Sequence, residues 1–250
     1  MSRKIRQDDI LAILEKQGYA TVKELVILLD YSSATVNRDL NDMQKRGLVK
    51  RSYGGVEAVA RKRFPSLPFR YDLMKKEKRH IGKAAAALVE DGDTVFIDAS
   101  TTAGYMGDYL SDKKDIHVIT NNMMLAIQLA EAEVRVTVLG GSVVERPSML
   151  AGEEAVEQIL HYHADKMFFS TSAFTEDGQI ADGGCYRLLH RIMMKCADRV
   201  YYLADANKLK KEGAAQGESF QSVTCVISNF AFPDATRAAF PDTDFLCVRK

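Results

Sequence analysis

Apolar residues in the first 56 positions recur at helical spacing in three successive segments. This spacing predicts helices from Ile5 to about Lys16, from Thr21 onward, and from Ser32 or Ser33 to about Lys45. Thr21 followed by Glu24 has the pattern of a capping box, in which each side chain satisfies a backbone N–H of the other residue. Residues 48–56 then predict two short strands around a glycine turn. Together these elements indicate a winged helix-turn-helix.

From Tyr71 onward, short apolar segments alternate with helical ones, which predicts a mostly parallel sheet covered on both faces. The predicted strands are Thr94–Asp98, Ile116–Thr120, Val134–Leu139, Lys166–Ser170, Val200–Asp205, Val223–Ser228 and Phe245–Val248. The predicted helices are Lys75–Glu90, with a solvated, charged start that includes Lys78, and Thr102–Leu110, Met123–Glu131, Gly152–Tyr162 and Tyr186–Ala197. The fold class is therefore α/β, with an N-terminal winged helix-turn-helix domain followed by a mostly parallel α/β domain.

The third helix has a polar face suited to the major groove of DNA. Small hydroxyls near its start can hold phosphates, and Asn and Arg can form paired hydrogen bonds with adenine and guanine edges. The candidate residues on this helix are Ser32, Ser33, Thr35, Asn37, Arg38 and Asn41. Lys50 and Arg51 of the wing suit the DNA backbone or the minor groove. The alternative is a small three-helix domain that binds protein.

The charge distribution favours DNA binding by the first domain. The whole chain has zero formal net charge, with 34 basic and 34 acidic residues. Residues 1–63 contain 13 Lys and Arg against 8 Asp and Glu, and the remaining 187 residues contain 21 against 26. A basic first domain and an acidic second one match an electrostatic footprint confined to the first. We expect domains at residues 1–57 and 71–250, joined by a linker at residues 58–70.

Several classes of protein are disfavoured by the sequence. Four cysteines without close pairing or metal-ligand spacing indicate reduced core residues of a cytoplasmic protein, and we expect no metal or cofactor. We expect neither a signal peptide nor a membrane span, because there is no apolar segment of sufficient length. His80, His117 and His190 have no acidic or thiol partner nearby in the sequence, so we expect them at surface or core positions.

Polar clusters follow four of the predicted strands. Ligands of parallel sheets gather at the carboxyl ends of strands, where loops lead into helices. Small residues and hydroxyls can cradle a phosphate, an aspartate can accept hydrogen bonds from sugar hydroxyls, and a lysine can pair with an anion. The candidate effector-binding residues are Asp98, Ser100, Thr101, Thr102, Thr120, Asn121, Gly140, Gly141, Asp205 and Lys208.

These motifs resemble, in order and spacing, those of DeoR-type bacterial transcriptional regulators across nearly the full length of the chain. The first domain carries the resemblance through residues 33–40, Gly47-Leu48 and Arg51-Ser52-Tyr53-Gly54-Gly55. The second domain carries it through Asp91-Gly92-Asp93, residues 98–102, Thr120-Asn121, Gly140-Gly141, Gly152 and residues 205–208. The resemblance adds Tyr53 to the candidate DNA-binding residues and Gly152 to the effector-binding ones.

The resemblance implies a sensor domain similar to sugar-phosphate isomerases, with a phosphorylated sugar that relieves repression of carbohydrate genes. The sequence departs from the family pattern at a few positions. Asn37-Arg38 stands where two arginines are common, and Tyr31 stands where a small apolar residue is common. Leu188 stands near the position of an acidic residue, so the ligand or the pocket is expected to differ from the family pattern.

Two other functions remain open from the sequence. One is a sugar-phosphate isomerase with an appended DNA-binding domain, in which Asp98, Asp205, Glu153 or Glu154 would be the general base. The other is a DNA-binding protein that ignores ligands because its pocket has changed. We favour a non-enzymatic regulator that binds double-stranded DNA as a homo-oligomer, a dimer or tetramer, because one short recognition helix reads too few bases.

Overall fold

The computed structural model describes residues 3–17, 19–52, 55–58, 67–143, 149–181, 185–210 and 217–248. The chain divides into two compact units, Met1–Phe64 and Pro65–Lys250. No described helix is both long enough and apolar enough to cross a bilayer.

The first unit is a helix-turn-helix with a two-stranded wing, as the sequence predicts. Its elements are α1 (Arg3–Gln17), α2 (Val22–Leu29), α3 (Ser33–Lys45), β1 (Val49–Ser52) and β2 (Gly55–Ala58). The predicted capping box is present, because Thr21 Oγ1 accepts from Glu24 N and Glu24 Oε2 accepts from Thr21 N. Its core is formed by Ile10, Leu11, Leu14, Ala20, Leu25, Val36, Leu40, Met43, Leu48, Val49 and Val56.

A buried carboxylate links α1 to α3 in this unit. Asp39 is 1% exposed, and its oxygens lie 2.8 Å from Arg6 Nε and 3.3 Å from Arg3 Nε. Gln7 Nε2 donates to Asp42 Oδ2 at 3.0 Å one turn further along α3. These contacts fix the orientation of α3 against α1, in addition to the apolar core.

The second unit contains seven helices in its described part. They are α4 (Leu67–Asp72), α5 (Lys75–Ala87), α6 (Thr101–Gly104), α7 (Met123–Glu131), α8 (Glu153–Ile159), α9 (Cys185–Lys195) and α10 (Asp234–Ala239). Short 3-10 helices occupy Tyr105–Tyr109, Ala206–Lys208 and Phe220–Ser222. Helix α4 begins within the segment predicted as a linker, residues 58–70. Pro68 suggested a break, but it lies in the first helical turn, where a backbone N–H has no intrahelical acceptor.

The seven predicted strands form one sheet. They are β3 (Thr94–Ile97), β4 (His117–Thr120), β5 (Arg135–Val138), β8 (Ala164–Phe169), β11 (Ala197–Ala204), β13 (Cys225–Ser228) and β14 (Asp244–Cys247). Their order is β14-β13-β11-β8-β3-β4-β5, and all neighbouring pairs are parallel. The carboxyl ends of all seven strands therefore lie at the same edge of the sheet.

Alternate residues of these strands face opposite layers of helices. Phe96, Met167 and Tyr202 pack in a core with α8 and α9. Their sequence neighbours Ile97 and Phe168 pack in a second core that includes residues of α5 and α7. Burial on both faces explains why inner strands such as β3, β8 and β13 are largely apolar.

Five further strands are too short to stand out in the sequence. A hairpin pairs β6 (Ser142–Val143) with β7 (Leu150–Ala151). A small sheet in the order β10-β9-β12 joins β9 (Ala173–Thr175), β10 (Ile180–Ala181) and β12 (Leu209–Lys210). These pairs of two or three residues depend on long-range contacts rather than on a local pattern.

Candidate functional site

Helix α3 turns its apolar residues inward and leaves Arg38 on the outside. Val36, Leu40 and Met43 are at most 2% exposed and pack in the core. Arg38 is exposed and has neither a hydrogen bond nor an ion pair within the described part of the chain. Its guanidinium is therefore available to a partner outside the protein.

The hydroxyls at the start of α3 are used within the helix. Ser32 is the N-cap, and its Oγ accepts from Thr35 N at 3.3 Å and lies 2.9 Å from Thr35 Oγ1. Asn37 Nδ2 donates to the Ser33 carbonyl oxygen at 2.9 Å and lies 3.3 Å from Ser33 Oγ. All three hydroxyl residues thus lie together at the N-terminus of α3, where each can also contact a phosphate.

The wing places its two basic residues differently. Lys50 is exposed, and its Nζ lies 3.7 Å from Glu57 Oε1 on the opposite strand. Arg51 instead donates to Asn37 Oδ1 and Asn41 Oδ1, both at 2.7 Å. Tyr53 lies outside the described residues.

In the second unit, Asp98 follows β3 and is 3% exposed. Its Oδ1 accepts from Ser100 Oγ at 2.6 Å, and Ser100 Oγ in turn accepts from Ala103 N as the N-cap of α6. His190 Nε2 on α9 lies 3.3 Å from Asp98 Oδ2. His190 is buried, as one of the two expected positions allowed, and its acidic partner is not local, because the fold brings α9 next to a residue 92 positions earlier in the chain.

Thr101 contacts a lysine that we expected in solvent. Lys78 on α5 is 3% exposed, and its Nζ donates to Thr101 Oγ1 at 3.1 Å and to the Arg70 carbonyl oxygen at 2.5 Å. The prediction that Lys78 is solvated was wrong, because the first turn of α5 packs against the loop after β3. The pKa of Lys78 is lowered to about 8, chiefly by burial and then by the positive charge of Lys208, while Asp205 acts in the opposite direction.

Thr102, Asp205 and Lys208 meet beside this lysine. Lys208 Nζ donates to Thr102 Oγ1 and to Ser170 Oγ, both at 2.7 Å, and lies 3.3 Å from Asp205 Oδ2. Thr102 Oγ1 donates to Asp205 Oδ2 at 3.2 Å. The ends of β3, β8 and β11 thus contribute to one polar cluster.

Residues after β4 extend this edge. Thr120 Oγ1 donates to the Ile97 carbonyl oxygen at 2.6 Å and accepts from Asn122 N at 3.1 Å, so it ties β4 to β3. Asn121 is 1% exposed and its Nδ2 donates to the Leu150 carbonyl oxygen at 3.0 Å. Asn121 Oδ1 is buried without a hydrogen-bond partner among the described residues. This oxygen is an acceptor that a ligand hydroxyl could satisfy.

The three predicted glycines support the chain's own loops. Gly140 N donates to Gln158 Oε1 at 2.8 Å. Gly141 has a φ of +125°, and a Cβ there would lie 2.7 Å from the Ala151 carbonyl oxygen. Gly152 has a φ of +127° and precedes α8. The loop of Gly140 and Gly141 therefore approaches the segment before α8 so closely that a side chain at Gly141 would not fit.

Sequence reasoning missed Lys78, Ser170 and His190. Ser170 ends a predicted strand next to Thr171, so its position at the carboxyl edge was available as a signal. Lys78 and His190 lie within helices, and nothing local distinguishes them from solvated residues. Leu188 is 55% exposed and therefore does not fill the interior of the site.

A helix-turn-helix with a wing, followed by an α/β unit with a polar cluster at its carboxyl edge, defines a DNA-binding regulator with a sensor domain. Comparison with known families agrees with this class. The DeoR C-terminal sensor domain matches residues 74–229, and the DeoR-like helix-turn-helix domain matches residues 6–62. The chain belongs to the DeoR family of transcriptional regulators.

The chain is similar to several transcriptional regulators over most of its own length and of theirs. The chain is 32% identical over 205 residues to the uncharacterized HTH-type transcriptional regulator FruR of Bacillus subtilis (strain 168), covering 81% of this chain and 82% of that protein. It is 29% identical over 222 residues to the HTH-type transcriptional repressor GlcR of the same organism, covering 88% and 86%. It is 26% identical over 213 residues to the glycerol-3-phosphate regulon repressor of Haemophilus influenzae (strain ATCC 51907 / DSM 11121 / KW20 / Rd), covering 85% and 84%.

Proposed function

We propose that this regulator represses carbohydrate genes by binding double-stranded DNA, and that a phosphorylated sugar bound at the carboxyl edge of the sheet releases it. The observation that carries the proposal is the meeting of two lysines at adjacent threonine hydroxyls, Lys78 at Thr101 and Lys208 at Thr102. Two largely buried cations beside hydroxyl donors form a suitable environment for a phosphate.

Electrostatics support a phosphate at this position. After burial, the positive charge of Lys208 is the next cause that lowers the pKa of Lys78, so the two charges repel each other. A phosphate near neutral pH carries close to two negative charges and three acceptor oxygens. It would relieve this repulsion and favour the charged form of both lysines.

The remainder of the edge suits a sugar. Asn121 Oδ1 is a buried acceptor without a partner in the described residues, and Asp98 and Asp205 contribute further carboxylate oxygens. A polyol supplies several hydroxyl donors for such acceptors. Among the relatives, the name of the Haemophilus influenzae repressor refers to glycerol 3-phosphate, a phosphorylated polyol.

On the DNA side, we propose that residues 1–57 read the operator and that residues 71–250 sense the effector. Arg38 would contact a base, and Ser32, Ser33, Thr35, Lys50 and Tyr53 would contact the backbone. Two copies of the chain would bind together, because one recognition helix reads too few base pairs for a genome-scale search. Because its proposed partner is DNA, we propose that the protein acts in the cytoplasm.

An isomerase is the second candidate, and the hydrogen bonding disfavours it. Asp98 already interacts with Ser100 and His190, and Asp205 with Thr102 and Lys208. Carboxylates held in this way are less available to move a proton between substrate carbons. We therefore propose a sensor that binds the sugar phosphate without converting it.

The proposal is tested by measuring operator DNA binding and effector binding separately on two variants. Arg38→Ala should weaken specific DNA binding about tenfold or more, because each paired base contact contributes about 1–3 kcal/mol, and should leave effector binding unchanged. Thr101→Val should leave DNA binding in place and weaken effector binding about tenfold, because a hydrogen bond to a charged group contributes about 1.5–3 kcal/mol. If Arg38→Ala abolished effector binding, the division of roles would be wrong.

A further inference from the structure

The two faces of the wing differ, and the difference follows from the period of a β-strand. Successive residues of β1 point to opposite faces. Val49 faces the core and is 2% exposed, Lys50 points outward opposite Glu57, and Arg51 returns to the face of Val49. Arg51 is therefore directed towards α3 and Lys50 is directed away from it.

Two asparagines of α3 hold the guanidinium of Arg51. NH2 donates to Asn37 Oδ1 and NH1 donates to Asn41 Oδ1, each at 2.7 Å. Asn37 and Asn41 are four residues apart and so lie on one side of α3, one turn from each other. The arginine side chain is fixed at both terminal nitrogens by groups of the recognition helix.

This arrangement uses both ends of the Asn37 amide. Its Oδ1 accepts from Arg51, and its Nδ2 donates to the Ser33 carbonyl oxygen. A paired contact with adenine would require both ends at once. Asn37 is therefore better placed to orient Arg51 than to read adenine, which was its expected role.

Arg51 retains the means to contact a base. A guanidinium has five N–H donors, and two are accounted for by the asparagines. Within the described part of the chain, no carboxylate forms an ion pair with Arg51. Because the side chain is already ordered, less conformational entropy is lost when it meets DNA.

We propose that Arg51 is a base-reading residue that enters the major groove together with α3, that its target is a guanine, and that Asn37 and Asn41 are positioning residues for it. Guanine is the base whose major-groove edge presents two acceptors, O6 and N7, to a pair of N–H donors. This inference rests on the proposed DNA-reading role of the first unit. It replaces the contact with the DNA backbone or minor groove that the sequence indicates for Arg51.

The test is selection of binding sites from a random DNA library by the full chain and its variants, followed by affinity measurements on the selected site. Arg51→Lys should lose the preference for guanine at one position of each half-site, and its affinity for the selected site should fall about tenfold or more. Its binding to unrelated DNA should stay nearly unchanged, because the charge is kept. Arg51→Met should lose the same preference.

Lys50→Met is the matched control, since Lys50 is the neighbouring basic residue on the opposite face of the hairpin. It should weaken binding to all DNA sequences by a similar factor and leave the selected motif unchanged. The salt dependence of binding should fall by the amount expected for the release of about one counterion fewer. If Arg51→Met behaved like Lys50→Met, and Arg51→Lys kept the preference for guanine, Arg51 would be a backbone contact and the inference would be overturned.

The positioning role has its own readout. Asn37→Ala should relax the preference at the same guanine position as Arg51→Lys, and the double variant should be no worse than Arg51→Lys alone. A changed preference at an adenine instead would show that Asn37 reads a base directly. If the unaltered chain selects discrete sites and Arg51→Lys selects the same ones, only this inference fails. If the unaltered chain selects no DNA, the proposed DNA-reading role fails as well.

Discussion

Lys78 lies at a nearly fully buried position, 3% exposed, on the first turn of α5. Its pKa is lowered from 10.5 to about 8, first because burial penalises the charged form. Between these two values the unfolded chain binds more protons than the folded one. The free energy of unfolding therefore rises as the pH is raised from 8 to 10.5, by about 1–3 kcal/mol from this residue.

This pH dependence can be isolated by denaturant unfolding of variants. Lys78→Met should remove the gain in stability between pH 8 and 10.5 that the unaltered chain shows. Lys83→Met, on the exposed side of the same helix, should retain it. If the free energy of unfolding depended on pH equally in Lys78→Met and in the unaltered chain, burial would not lower the pKa of Lys78.

Residues that act through distant partners could not be predicted from the sequence. His190 contacts Asp98 and Arg51 contacts Asn37 only because the fold brings separate segments together. Asp98, Thr101, Thr102, Asp205 and Lys208 were identifiable, because residues that follow parallel strands meet at one edge. Whether they bind an effector stays a prediction.

At the scale of elements, the ionic contacts of α1 with α3 set the position of the recognition helix. Asp39 is 1% exposed and accepts from Arg6 at 2.8 Å. Asp39→Asn should destabilise the first unit by about 1–3 kcal/mol, because the change removes the buried negative charge that Arg6 and Arg3 contact. Hydrogen exchange of the amides in residues 3–17 and 33–45 of the full chain measures this loss.

Asp42→Asn is the control, since it makes the same change on the same helix at a side chain that is 32% exposed. Its cost should be below about 1 kcal/mol, because exposed ion pairs contribute little. Equal protection losses for the two variants would mean that burial of Asp39 does not matter.

Elements with a strong local pattern were predicted well and short ones were not. The seven strands of the main sheet were all predicted, because each is a short, largely apolar segment between helices, and the inner strands are buried on both faces. Strands such as Ile180–Ala181 have two residues and form only where a partner strand is already in place. Helix α4 was not predicted because its second residue is Pro68, which a first helical turn tolerates.

At the scale of the whole molecule, we propose that a modest free energy couples DNA binding by the first unit to effector binding by the second. A coupling of about 1–3 kcal/mol between effector and operator is enough to change operator occupancy severalfold or more. By reciprocity, operator DNA should weaken effector binding by the same factor by which the effector weakens DNA binding. Homo-oligomerisation would let both reading units of a pair respond together.

We propose that one phosphorylated sugar controls binding of the protein to a few discrete operators. The measurement that tests it most directly is selection of genomic DNA fragments by the purified full chain at physiological salt, with and without a panel of sugar phosphates. We predict enrichment of a few discrete sites that is lost with one compound of the panel. Discrete sites that persist with every compound would contradict effector control, and the absence of any enrichment would contradict the regulator itself.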